Sequence, residues 1–327
     1  MMRLFRLFRG LLGAALLLAV GTTAVGAEPL KIAHSTWVGY GPFYIAQEKG
    51  FFEEEGLDVD LILMEDTKTR VPALAAGRID AAATTVDTVL TFYSERRPFR
   101  YLFAVDDSKG GDGIVANNEI KTIADLAGKR VAYQEASVSQ FYLSVLLREA
   151  GLSLDAVEMV NMTAADAGAA FVAKRVDAAV TWEPWLTRGD QAEHGHILVD
   201  SSSSPGLITD VVLTTVEKLE ARTAEFQALY RAWVKAVEWQ KANEAEADAI
   251  MARGVGGWLK EAEAFEESRS GVAYYDSAMN EAFIGTAEMP GTITRTISNA
   301  LTLGREAGLF DHDLEPATLI AFEIVNQ

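Results

Sequence analysis

Cysteine is absent from the 327 residues. Disulfides, thiolate nucleophiles and cysteine-based zinc sites are excluded with it. The chain must therefore be held by its apolar core, which this length permits. Histidine is nearly absent as well: His34, His194, His196 and His312 are the only four. His194 and His196 flank Gly195 in a polar stretch with no third ligand at metal-binding spacing. No HExxH pair, GxSxG elbow or phosphate-cradling Gly–Lys loop occurs. The expectation is thus a protein without metal, cofactor or catalytic constellation. Positive charge is scarce too, with 29 Lys and Arg against 47 Asp and Glu, a net of −18. So acidic a surface repels phosphate backbones and excludes nucleic acid as a partner.

Long apolar runs are missing except at the start. Arg3, Arg6 and Arg9 lead into LLGAALLLAV (residues 11–20), and Val25-Gly26-Ala27 supplies small residues. Residues 1–27 read as a secretory signal peptide cleaved near Ala27, which implies a periplasmic destination. No later stretch reaches the roughly 20 apolar residues of a membrane-spanning helix. The mature chain then carries 26 basic and 47 acidic side chains, or −21, and a monomer is expected.

Short apolar runs of strand type begin at Lys31, Leu57, Ile79, Tyr101, Gly113, Arg130, Val176 and Val211. Helical patterns separate most of them: GPFYIAQEKGFF opens on Pro42 and stops at Gly50, and TRVPALAAG ends at Gly77. SQFYLSVLLREAG starts beside Ser137 and ends at Gly151. Alternation of this kind predicts doubly wound parallel α/β sheets. After about residue 215 the pattern turns helical, with Phe226, Tyr230, Trp233, Val237 and Ile250 on one stripe and no strand long enough for a third sheet.

One phrase occurs twice. LAAGRIDAAATT and FVAKRVDAAVTW align residue for residue at an offset of 97. Each reads as a helix end, a tight turn and a strand of small residues that lets helices pack closely on both faces. Two similar lobes follow, with Thr84-Thr85 and Trp182-Glu183 at strand ends where α/β sheets bind ligands. Asp80 and Asp177 open these strands and are expected to cap turns.

The segments WVGYGPFYIAQEKGFFEEEGLDVDL, AALAAGRIDAAATT, IADLAGKRVAYQ and VDAAVTWEPW together resemble the periplasmic solute-binding proteins of ABC importers of the nitrate/sulfonate/taurine type. The likeness runs from about Lys31 to Val212. It implies a two-lobed periplasmic-binding-protein (venus-flytrap) fold with a helical C-terminal tail. It also implies a ligand held between lobes that close on a hinge, no catalysis, and delivery to an ABC permease in the inner membrane. The lobes would be residues 28–114 with 211–327, and 115–210. A biosynthetic enzyme on the same fold is the alternative; the missing cysteine, the scarce histidine and the export signal weigh against it.

Strand ends and helix starts nominate the ligand-binding residues: Trp37, Tyr40, Thr84, Thr85, Asp87 and Asp107 from the first lobe, Gln134, Ser137, Ser139, Trp182 and Glu183 from the second, and Asp210 at the return crossing. Asp112, in GGDGI, reads instead as shaping a turn. The set is aromatic and carboxylate-rich, with Lys109 and Arg188 the nearest cations along the chain. It points to a small amine- or guanidine-bearing organic cation, or a zwitterion whose acidic end rests on the N–H groups at the Ser137–Ser139 helix start. The alternative is a sulfonate, taurine or nitrate-type anion.

Overall fold

The computed structural model describes residues 28–327, so the leader lies outside the described residues. The strands described are β1 (Leu30–His34), β2 (Val59–Leu63), β3 (Ala81–Thr85), β4 (Phe99–Ser108), β5 (Asp112–Asn117), β6 (Arg130–Tyr133), β7 (Glu158–Asn161), β8 (Ala178–Trp182), β9 (Gly195–Asp200), β10 (Thr209–Thr215) and β11 (Val272–Tyr274). They form two sheets, in the orders β11-β4-β10-β3-β1-β2 and β7-β6-β8-β5-β9.

Both sheets repeat one plan. β1 is flanked in parallel by β2 and β3, as β6 is by β7 and β8. An antiparallel strand then follows in each, β10 against β3 and β5 against β8. The sheets are therefore mixed rather than wholly parallel as expected. The antiparallel members are the strands by which the chain enters one sheet from the other, and that entry reverses their direction. The chain crosses at 109–111, between β4 and β5, and again at 201–208, between β9 and β10.

The repeated phrase has a structural reason. Asp80 accepts the Lys31 main-chain N–H at 3.0 Å while its own N–H donates to the Lys31 carbonyl at 2.8 Å. Asp177 does the same with Arg130, at 2.9 Å in both directions. Each aspartate thus aligns the start of a neighbouring parallel strand. The alanines that follow, Ala81–Ala83 and Ala178–Ala179, are fully buried, and their small size lets flanking helices approach both faces.

The helical tail packs on the first sheet. The helix Val216–Ala242 sets Trp233 against Phe43 (ring centroids 4.8 Å apart) and Phe103 (6.2 Å). Its indole N–H donates to the Tyr275 carbonyl at 2.9 Å. All five residues of the anticipated apolar stripe are buried. β11 is a three-residue edge addition to the first sheet, and no third sheet occurs among the described residues. No helix of the described residues is long and apolar enough to cross a membrane.

Candidate functional site

The strand ends of the two sheets face each other across a small cavity between the lobes. The first lobe supplies most of the wall. Trp37 and Tyr40 follow β1, and Thr84, Thr85 and Thr88 come from the end of β3 and the helix after it. The Trp37 indole N–H donates to the Asp106 carboxylate, at 3.1 and 3.3 Å to its two oxygens. Gly39 makes this approach possible, because a Cβ there would stand 1.7 Å from Asp106 Oδ2. The Tyr40 hydroxyl donates to Asp210, also in the wall.

Arg70 completes this side, on the second turn of the helix Thr67–Ala75. Asp66 caps that helix by accepting the Lys68 N–H at 2.8 Å. The Arg70 side chain is 3% exposed. Its Nη1 donates to the Met64 carbonyl at 2.5 Å, while Nε has no hydrogen-bond partner among the described residues. Burial presses its guanidinium below the ordinary value, and the negative fields of Glu65, Asp210 and Asp66 oppose that. It remains a cation at neutral pH.

The second lobe contributes Asp112, Gln134, Ser137, Val138 and Trp182. Trp182 meets Trp37 edge-on across the cleft, centroids 6.3 Å apart at 72°. Its indole N–H is buried without an acceptor among the described residues. Along the rim, Thr67 Oγ1 donates to the Ala136 carbonyl at 3.0 Å and Gln134 Nε2 to Asp66 at 3.3 Å. Lys68 pairs with Glu135. These contacts hold the lobes together over the cavity.

The interior is unbalanced electrically. Asp87, Asp106, Asp112 and Asp210 are all buried, and burial raises the carboxyl of each. Asp87 is pushed up to about 7 and Asp112 to about 8; Asp210 rises to about 7 by burial against the Tyr40 hydrogen bond and the Arg70 charge, and Asp106 rises by burial and then by the charges of Asp210, Asp107 and Asp112. His34 lies beneath the site, lowered by burial to about 4. Its Nδ1 is bonded to the Ser35 carbonyl at 2.8 Å, which makes Nε2 the acceptor from Tyr44 at 2.9 Å. Both nitrogens are thereby committed, and His34 is a structural group rather than a general base. No cluster able to hold a metal ion occurs among the described residues.

Of the residues nominated from sequence, Trp37, Tyr40, Thr84, Thr85, Gln134, Ser137, Trp182 and Asp210 line this cavity. Asp87 lies buried behind the threonines, with Oδ2 accepting from Thr88 at 3.4 Å and Oδ1 unpartnered. Three others do not reach the cavity. Asp107 accepts from Thr209 at 2.6 Å and Tyr275 at 3.2 Å and lines a separate surface cavity; neighbours on a strand face opposite ways, and Asp106 takes the cleft side. Ser139 is buried one residue inside its helix, its N–H taken by Ser137 Oγ at 3.2 Å, so that N–H is not free for an anion. Glu183 accepts from Thr187 N at 3.1 Å and Thr187 Oγ1 at 2.9 Å, and so serves the start of the helix Trp185–Asp190. Conversely, Asp112 faces the cavity rather than merely shaping a turn, and Ser35, Glu65, Thr67, Arg70, Thr88 and Val138 join the wall unforeseen. Arg70 also corrects the expectation of a cleft without cations. It was hidden because it sits inside a helix, away from any strand end.

The comparisons agree with this architecture. Residues 37–247, more than half of the chain, match the family described as NMT1/THI5 like. A Brucella abortus protein provisionally named a binding protein is 29% identical over 166 residues, which are 51% of this chain and 50% of that one, so the match takes in half of the relative's length. A Bacillus subtilis protein provisionally named as binding aliphatic sulfonates is 27% identical over 212 residues, 63% of this chain and 64% of that one. The crystal structure of the periplasmic aliphatic sulphonate binding protein SsuA of Escherichia coli superposes with a TM-score of 0.69 at 21% identity, covering 92% of this chain and 100% of the other. The two sheets, the paired crossings and the interlobe cavity are thus those of the two-lobed periplasmic-binding-protein fold, and the chain belongs to the NMT1/THI5-like family.

Proposed function

We propose that the protein is an extracytoplasmic solute-binding protein that encloses a small organic anion of the sulfonate class between its lobes and passes it to an ABC permease. One observation carries the anion: Arg70 Nε and Trp182 Nε1, on opposite lobes, line the same cavity and both lack an acceptor among the described residues. A buried donor left unpaired forfeits about 1–3 kcal/mol, more when it is charged. A ligand oxygen that meets both recovers this only in the closed state, which ties binding to closure. The Bacillus subtilis relative, named for sulfonates, supports the same reading. It replaces the free amine or guanidine cation, which offers these donors nothing.

The hinge is assigned to residues 109–111 and 201–208, and the lobes to the segments on either side. Export by residues 1–27 and a periplasmic site of action fit the family. The site binds without transforming its ligand; His34, its nearest imidazole, has both nitrogens engaged. A thermal-shift and calorimetric panel of alkanesulfonates, nitrate, alkylamines and guanidines tests the ligand class. Binding confined to sulfonates is expected, with the shift growing by mass action. Binding confined to amines or guanidines would overturn it.

A further inference from the structure

The four buried carboxylates are divided between the lobes. Asp87, Asp106 and Asp210 stand on the helix Val86–Thr91, β4 and β10 of the first lobe. Asp112 is the first residue of β5, across the hinge. It is 7% exposed and lines the cavity with Asp210, which is 3% exposed. The charges that face Asp112 are Asp210 and Asp87, with Asp106 beyond them. The Tyr142 phenol, from the helix Val138–Glu149, feels its field from the other side, and Ser108 Oγ accepts the Asp112 main-chain N–H at 3.1 Å. Glu65 adds another carboxylate to the wall, and Arg70 is its one Lys or Arg. Three groups here are unsatisfied and at least nine-tenths buried: Asp87 Oδ1, Arg70 Nε and Trp182 Nε1.

This set is overloaded with negative charge once an anion enters. Closure carries Asp112 toward Asp210 and Asp87, and the single guanidinium cannot neutralise them together with the ligand. Either a proton enters with the anion, or the ligand brings its own positive group. We propose that Asp112 is a specificity-determining residue: on closure it binds one solvent proton when the captured anion carries no cation, and it accepts a hydrogen bond from the ligand's ammonium when there is one. The step moves one proton from water to the Asp112 carboxylate and changes no bond of the ligand. It rests on the anion-capture reading above.

The sign follows from linkage. In the open state Asp112 faces water and titrates near the ordinary ~4 of a carboxylate. In the closed state burial, with Asp210 and Asp87, lifts it to about 8. Closure on a plain anion is therefore favoured fully below the open-state value, and the gain is lost as pH rises through the closed-state value. Affinity for ethanesulfonate should tighten about tenfold from pH 8 to pH 6.5.

The test is calorimetry with ethanesulfonate and 2-aminoethanesulfonate, each in two buffers of different ionisation enthalpy. Net uptake of about one proton at pH 7 is expected with the first. Markedly less uptake and a flatter pH dependence are expected with the second. Asp112→Asn should abolish the difference, and the wild-type proton count stands even if that variant fails to fold. Tight ethanesulfonate binding without proton uptake would overturn the Asp112 proposal and leave anion capture intact. If neither sulfonate bound, anion capture would fall, and small-angle scattering of the ligand-free protein would decide on Asp112. Compaction from pH 8 to pH 5 in wild type but not in Asp112→Asn supports it; an unchanging radius of gyration overturns it.

Discussion

At the scale of single residues, sequence position is a poor guide to which way a side chain points. Asp106 and Asp107 are neighbours after the same apolar run, yet one bonds Trp37 in the cleft and the other bonds Thr209 and Tyr275 behind it. Glu183 shows a different limit: a carboxylate at a strand end is also a carboxylate at a helix start, and Thr187 takes it. Arg70→Gln is expected to weaken sulfonate binding by about 1.5–3 kcal/mol, the worth of a hydrogen bond to a charged group. Calorimetry checks this, with Glu183→Gln as the control that leaves affinity within about twofold. Asp80 makes the opposite kind of contribution. Its side chain is 6% exposed, with Lys218 at 2.6 Å and Arg222 at 3.0 Å. Burial opposes its ionisation, but the Lys218 and Lys31 hydrogen bonds and the Arg222 charge outweigh it and hold the carboxyl low. Its stabilisation is present above the unfolded carboxylate range and is lost as pH falls through the lowered folded value. Asp80→Asn should therefore cost roughly 1–3 kcal/mol at pH 7, since Lys218 loses its partner while Arg222 keeps Glu225, and less near pH 3. Urea melts at the two pH values measure the difference.

At the scale of elements, the central strands and the long helices were legible because burial imposes a period on them. Seven of the eight expected strands are interior members of their sheets, and β2 is an edge. The three strands missed, β7, β9 and β11, are all edges with no fully buried residue. A strand half in water has little reason to carry an apolar pattern. The crossings between the sheets are also invisible to periodicity, because backbone proximity rather than side-chain character sets them. Gly111 N donates to the Gly271 carbonyl at 3.1 Å. A Cβ on Gly111 would stand 2.6 Å from Trp37 and 2.9 Å from that carbonyl oxygen. Gly111→Ala should thus displace Trp37 or the Gly271 loop. We expect a loss of about 1–3 kcal/mol in urea unfolding, with ligand affinity falling in parallel. Unaltered affinity would mean that the Trp37 wall does not depend on this crossing.

At the scale of the whole molecule, the repeated phrase proved the most informative text in the chain, since it marks the same strand in both sheets. Two copies of one α/β plan place two sets of strand tips face to face, and the aromatic contact Trp37–Trp182 closes between them. The wall of that gap could be read in large part from strand ends. Its charge balance could not, because Arg70 enters from a helix flank and Asp112 from the start of β5, just after the crossing. A ligand that closes the lobes should bind in the micromolar range or tighter, about −8 kcal/mol. Scattering should then report a smaller radius of gyration with saturating ethanesulfonate than without it, as hinge closure requires. The crystal structure of the protein with a bound sulfonate tests the central claim most directly. The account predicts sulfonate oxygens about 3 Å from both Arg70 Nε and Trp182 Nε1. An ammonium or guanidinium ligand seated on Asp112 and Asp210, with those two donors still unpaired, would contradict it.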